Sequence, residues 1–181
     1  MKTIRLSLLF AALMFTFSAL AADKPAAPKS FCTAPQYHQF DFWIGDWDTF
    51  DVNDPHKVIA RNNVQRILGG CVLRENYQQS DGLRGQSFNI YDSGRKIWRQ
   101  SWVTNHGQSL QLEGTQQANG DIVLDAVDHE NGGKVLIRGT WKRVDGGVRE
   151  TAVKSKDNGK TWTPWFDVIF RPHHASNSSA R

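Results

Sequence analysis

Three glutamates, Glu75, Glu113 and Glu150, fall near the middle of strand-length segments, where a carboxyl group can serve as general acid or base. Burial beside tryptophan raises a carboxyl pKa by desolvation, which is what proton transfer near neutral pH requires. Two such groups flanking a bond are the equipment of a glycosidase, but the same residues serve equally well as solvated or ion-paired acids. No Gly-x-Ser-x-Gly elbow, phosphate loop, His-Glu-x-x-His pair or Cys-x-x-Cys accompanies them. A second group of residues suits binding rather than reaction. Glu75, Asn89, Gln100 and Arg138 are polar side chains set among large apolar ones, able to orient a small molecule by hydrogen bonds. Trp43, Trp98, Trp102 and Phe166 can bury its apolar or aromatic part, with Trp141 and Trp165 as further stacking faces. The structural alternative is that such aromatics only close the ends of a barrel. Trp47 and Trp162 are assigned to structure.

The elements that must hold these residues are strands. Turn signals recur at short intervals: Asn53-Asp54-Pro55, Gly69-Gly70, Ser80-Asp81-Gly82, Asp92-Ser93-Gly94, Asn105-His106-Gly107, Asn119-Gly120, Asn131-Gly132-Gly133, Asp145-Gly146-Gly147 and Asp157-Asn158-Gly159. Between them lie about ten segments rich in Val, Ile, Trp, Phe and Tyr, around 41–51, 57–67, 71–79, 86–91, 96–104, 108–115, 121–128, 134–143, 147–155 and 162–171. Sequential strands joined by short turns make a meander, and a meander this long removes its edges by closing on itself. The expected fold is therefore all-β, an up-and-down antiparallel barrel of about ten strands. Alternation groups Leu73, Glu75 and Tyr77 on one face, and Trp98, Gln100 and Trp102 on one face. Polar groups on the faces that turn inward predict a lumen that holds water or a ligand.

Residues 1–21 read as a signal peptide, with a basic start at Lys2 and Arg5, an apolar run from Leu6 to Leu20 and small residues in Ala19-Leu20-Ala21. Cleavage is expected after Ala21, with Ala22 the next choice; the apolar run is short for a membrane span, and an uncleaved anchor is the alternative. Residues 22–35 form an N-terminal arm, 36–172 the barrel domain and 173–181 a loose polar tail. The expected location is periplasmic or secreted, without stable membrane insertion. Removing Lys2 and Arg5 leaves 20 basic against 18 acidic residues, with no dense Lys/Arg cluster, so no nucleic-acid footprint exists. In an oxidising compartment Cys32 and Cys71 are expected to form a disulfide; two separate buried thiols are the alternative. Neither has neighbours that suggest a nucleophile or a metal ligand.

The segment Phe40-Asp41-Phe42-Trp43-Ile44-Gly45-Asp46-Trp47-Asp48 resembles the opening of lipocalin-like (calycin) barrels, where Gly-x-Trp begins the first strand and the indole folds over the barrel end. Together with Gly70-Cys71-Val72-Leu73-Arg74-Glu75-Asn76-Tyr77, Asn89-Ile90-Tyr91-Asp92 and Trp98-Arg99-Gln100-Ser101-Trp102-Val103, it is similar to a bacterial secreted family of unknown function. That family has predicted barrels related to lipocalins and nitrobindins, and the likeness runs from about Tyr37 to Arg171. It implies structural roles for Gly45 and Trp47, and a late arginine, Arg171, stacked on Trp47. Nitrobindin-like barrels hold haem on a histidine, but none of His38, His56, His106, His129, His173 and His174 sits within a cavity-facing strand by this reading, and most fall in turns or the tail, so neither cofactor nor metal is expected. Ser155-Lys156-Asp157-Asn158-Gly159-Lys160-Thr161-Trp162 matches the Asp-box turn, read here as a hairpin stabiliser.

These readings converge on a small-molecule-binding barrel holding an apolar or aromatic ligand in a partly polar lumen. The alternatives are an enzyme acting on a sugar or natural-product scaffold through a glutamate, and an envelope protein-interaction module.

Overall fold

A computed structural model describes residues 31–174; the expected signal peptide, most of the N-terminal arm and residues 175–181 lie outside the described residues. Ten strands are present: β1 (Gly45–Asp51), β2 (Asp54–Ile67), β3 (Val72–Gln79), β4 (Arg84–Asp92), β5 (Ile97–Thr104), β6 (Ser109–Gln116), β7 (Ile122–Glu130), β8 (Gly133–Val144), β9 (Gly147–Ser155) and β10 (Thr163–Pro172). Each pairs antiparallel with its sequence neighbour, and β1 also pairs with β10, closing an up-and-down barrel of calycin/lipocalin-like architecture. Closure satisfies every strand edge, as the long meander requires. Alternation decides which side faces in: along β7, Ile122, Leu124 and Ala126 are buried while Asp125 and Val127 face out.

The first expected strand begins too early. Asp41–Trp43 is a single 3-10 turn, following another at Pro35–His38, and extended structure starts at Gly45. The reason is packing. This segment runs under one end of the barrel and inserts Phe40, Phe42 and Trp43 as a plug. Phe40 stacks on Trp43 (ring centroids 5.1 Å apart) and meets the edges of Trp98 and Trp141, both at 5.5 Å. Trp43 also packs against Trp141 and Phe170. Three contacts hold the plug: Arg66 binds Asp41 and the Gly70 carbonyl, Trp98 Nε1 donates to Gln39 Oε1 (3.0 Å), and Cys32 is disulfide-bonded to Cys71.

A β-carbon on Gly45 would lie 2.5 Å from the Trp47 ring, so the indole lies flat across the glycine and donates Nε1–H to the Trp43 carbonyl at 3.0 Å. Arg171 does not cover it. Its guanidinium stacks on Phe50 at 4.8 Å and donates to the Pro55 carbonyl on the outside of the barrel. The register explains this, since Arg171 pairs with Asp48 and shares its outward face, opposite to that of Trp47. His173 is bonded to β1: its amide donates to the Asp46 carbonyl (2.9 Å) and its Nδ1 lies 3.0 Å from the Asp48 carboxylate.

Candidate functional site

The barrel is solid at the plugged end and hollow at the other. The open half contains a cavity of about 360 Å³, a size typical of small-molecule sites. Trp141 and Phe170 are its floor, carrying the plug on their far side. Trp102, Phe166, Leu110, Leu112, Ile137 and Val168 are among its wall residues, and Asp51, Gln79, Leu83, Gln108 and Trp165 also line it.

Two local devices shape this wall. The first is a strand glycine that berths an indole: a β-carbon on Gly85 would fall 2.0 Å from the Trp102 ring, and one on Gly139 would fall 2.8 Å from the Trp141 ring. Each ring can therefore lie against the sheet instead of filling the lumen. The second is a bulge in β10, where Pro164 pairs with Val153 but Phe166 pairs with Ala152. The extra residue, Trp165, lets two consecutive aromatics line the cavity, which strict alternation forbids.

The polar side of the lumen is a ladder across four strands, β2 to β5. Glu75 on β3 is directly opposite Ser87 on β4, and Asn89 on β4 is opposite Gln100 on β5. Ser87 Oγ–H donates to Glu75 Oε2 at 2.7 Å, Asn62 Nδ2 to Glu75 Oε1 at 2.9 Å, Asn89 Nδ2 to Ser87 Oγ at 2.9 Å and Gln100 Nε2 to Asn89 Oδ1 at 2.9 Å. Burial pushes the Glu75 carboxyl up to about 7, against the opposing effect of its Ser87 and Asn62 donors. Across the barrel on β9, burial raises Glu150 well above the carboxylate range, and the charge of Glu75 adds to it. Glu150 pairs in register with Trp141, whose indole N–H favours its charged form yet has no partner within hydrogen-bonding geometry. Tyr77, two residues beyond Glu75 on the same face, is raised by burial and by both glutamates.

The sequence-derived candidates separate accordingly. Glu75, Gln100, Trp102 and Phe166 line the cavity, and Asn89 lies behind Gln100 as its hydrogen-bond partner. Trp43 belongs to the plug and Trp98, on β5, packs edge-on against Phe40 beneath the floor, so both are fully buried. Arg138 is on the outer wall. It forks onto Asp125, its cross-strand neighbour (2.7 and 3.0 Å), and stacks on Trp162 at 4.8 Å. The inward residues of β8 are Val135, Ile137, Gly139 and Trp141, so parity puts Arg138 outside. Glu113 also faces out, paired with Arg95 and Arg99. Glu150 alone among the further acid/base candidates joins Glu75 in the lumen. Asn62, Ser87 and Tyr77 were missed, although Tyr77 and Ser87 share inward parity with Glu75 and Asn89. None of the histidines lines the cavity.

The Asp-box is a self-contained turn. Asp157 accepts from Ser155 Oγ (2.7 Å), Thr161 N (2.9 Å) and Thr161 Oγ1 (2.6 Å), and these donors lower its carboxyl to about 2. Trp162 Nε1 donates to the Gly159 carbonyl at 3.1 Å, closing the β9–β10 hairpin.

No protein-family model matches this chain, and no curated protein matches its sequence. The geometry of the lumen therefore carries the functional argument.

Proposed function

We propose that the protein is a small-molecule-binding barrel that holds an apolar or aromatic ligand in its open half. The observation that carries this reading is the cavity itself: walled by Trp102, Trp141, Trp165 and Phe166, open at one end, and furnished with Glu75, Gln100, Tyr77 and Glu150 as polar anchors. A lumen needed only for packing would be filled, as the plugged end is. Burying about 200 Å² of ligand apolar surface contributes roughly 5 kcal/mol, whereas micromolar affinity requires about 8 kcal/mol. The polar anchors supply the difference, and they also fix orientation. The disulfide fits an oxidising compartment, and among the described residues no helix is long and apolar enough to cross a membrane. With the expected signal peptide, these features support a periplasmic or secreted carrier.

The indoles in the wall make the test direct. Intrinsic fluorescence titrated with a panel of small aromatic and apolar compounds is expected to show saturable quenching, lost in Trp102→Ala. Mass spectrometry of the natively purified protein is expected to reveal a co-purifying small molecule. Uniform silence in both measurements overturns the reading.

One observation favours a second reading. Glu75 and Glu150 share the cavity, and both hold protons more tightly than ordinary carboxyls. An enzyme acting on a sugar or natural-product scaffold through these acids would leave Glu75→Gln able to bind but not to turn over.

A further inference from the structure

We propose that the lumen selects organic cations: a protonated amine or similar cationic nitrogen, carried on an apolar or aromatic body and held by Glu150 and Glu75 between the indole faces. This deepens, and rests on, the reading of the barrel as a ligand carrier.

The argument begins with where the charges are. Three carboxyl groups, Asp51, Glu75 and Glu150, line the cavity, and no lysine, arginine or histidine does. On the outer surface the acids meet cations: Glu113 with Arg95 and Arg99, Asp125 with Arg138, and Asp167 with Arg149. The two lumen glutamates have no ion-pair partner among the described residues. A chain with more basic than acidic residues has thus kept every cation out of its cavity and placed acids inside it. Glu75 is held in place by Asn62 and Ser87, which leaves lone pairs on both oxygens free for a ligand. Glu150 is less satisfied. Its cross-strand neighbour Trp141 carries an indole N–H on a side chain only 2% exposed, and that N–H has no hydrogen-bond partner.

The second part is aromatic. Indole faces attract cations through their quadrupole, most strongly when water is excluded. Trp102 and Trp141 are laid against Gly85 and Gly139. Trp165 at the mouth already shows this recognition within the protein, with Lys154 Nζ 3.8 Å from its ring centroid; that lysine is engaged by Glu130 at the rim and does not enter the cavity lining. A neutral ligand would use the aromatic walls but draw only hydrogen bonds from the two glutamates, and an anionic one would be repelled by them wherever they ionise.

Without a ligand, burial favours the protonated forms of Glu75 and Glu150. Entry of an ammonium group reverses this. The carboxyl O–H bond breaks, its proton leaves to the buffer, and the carboxylate pairs with the ammonium, which stays protonated. The groups that face this event are Glu75 and Tyr77 from β3, Glu150 from β9 and Asp51 from β1. None of them is a base, and ionisation of Glu75 and Glu150 creates the countercharge, so affinity for the cation rises with pH.

Isothermal titration calorimetry with three matched probes tests this: 2-phenylethylammonium, 2-phenylethanol and 3-phenylpropionate, near neutral pH in two buffers of different ionisation enthalpy. The amine is expected to bind at least about tenfold more tightly than the alcohol. It is also expected to release protons on binding, and to gain affinity from about pH 6 to about pH 8. The carboxylate is expected to be the weakest of the three. Glu150→Gln is expected to lower amine affinity about tenfold, whereas Glu113→Gln on the outer wall leaves it unchanged. Equal binding of amine and alcohol, or a preference for the carboxylate, overturns charge selection and leaves the carrier reading standing. Silence of all three probes overturns charge selection for these aromatic bodies, and joined to a silent fluorescence panel and no co-purifying molecule it overturns the carrier reading as well.

Discussion

At the scale of single residues, burial has given two glutamates properties that their neighbours on the outer wall lack. Glu113 lies between Arg95 and Arg99, and their hydrogen bonds and charge lower its carboxyl; Glu75 lies in the lumen and is raised to about 7. The sign of the resulting pH dependence follows directly. The unfolded chain releases this proton at the ordinary value near 4.5, while the folded protein retains it up to about 7. The stabilising contribution is therefore complete below about 4.5 and is lost as pH rises through that window. Glu75→Gln, which stays neutral, is expected to be more stable than the parent at pH 8 by up to about 3 kcal/mol, and similar to it at pH 4. Guanidinium titrations at the two pH values check this. Gly85 offers a second test. Its missing β-carbon is what lets Trp102 lie against the wall, and Gly85→Ala is expected to cost about 1–3 kcal/mol through overpacking. The indole must swing off the sheet, so a shift in tryptophan emission should accompany the loss.

At the scale of elements, the N-terminal segment is a plug rather than a strand, and its anchorage can be taken apart. The Cys32–Cys71 bond, which spans 39 positions in sequence, joins the plug to the β2–β3 connection. Loop-closure entropy assigns such a bond about 4 kcal/mol, so Cys32→Ser/Cys71→Ser is expected to lower stability by up to that amount. Chemical denaturation of parent and double variant gives the value. Arg171 is a contrasting case. It stacks on Phe50 at the exposed outer face, so Arg171→Ala is expected to cost less than about 1 kcal/mol in the same assay. Had it covered Trp47 at the closed end, a larger loss would follow. The bulge in β10 belongs to this scale too. It adds Trp165 to a wall that alternation alone would give to Phe166, and no residue type in Thr163-Pro164-Trp165-Phe166 announces it except the proline.

For the molecule as a whole, the division into a packed half and a hollow half decides what the barrel can do. Ligand bound in the open half adds to global stability, because the unfolded chain has no cavity. Saturation at about 100 times Kd is expected to add about 2.7 kcal/mol, read as a rise in Tm that depends on ligand concentration. A compound that quenches tryptophan without raising Tm is not binding the folded state selectively and acts as a collisional quencher.

Much of this was legible in the amino-acid sequence. Turn chemistry and strand-length apolar segments gave ten strands in order, and their closure followed from the need to satisfy edges. Alternation put Glu75, Tyr77, Gln100 and Trp102 on inward faces, because side-chain direction along a strand is a local property with a period of two. The Asp-box was readable for the same reason, its hydrogen bonds running between residues at most four apart. Height along the barrel axis was not legible. Trp98 and Trp102 share a face on one strand, yet the first is under the floor and the second in the wall, according to how far Phe40 and Trp43 reach in from a different part of the chain. The same limit applies to Arg138, whose outward direction depended on which parity of β8 the barrel turned inward. It applies again to Glu75 and Glu150, which meet across the lumen only because β3 and β9 stand on opposite walls of a closed sheet. Local chemistry set the strands and their faces; the plug, the depth of the cavity and the pairing of its two acids are long-range outcomes of how the barrel closes.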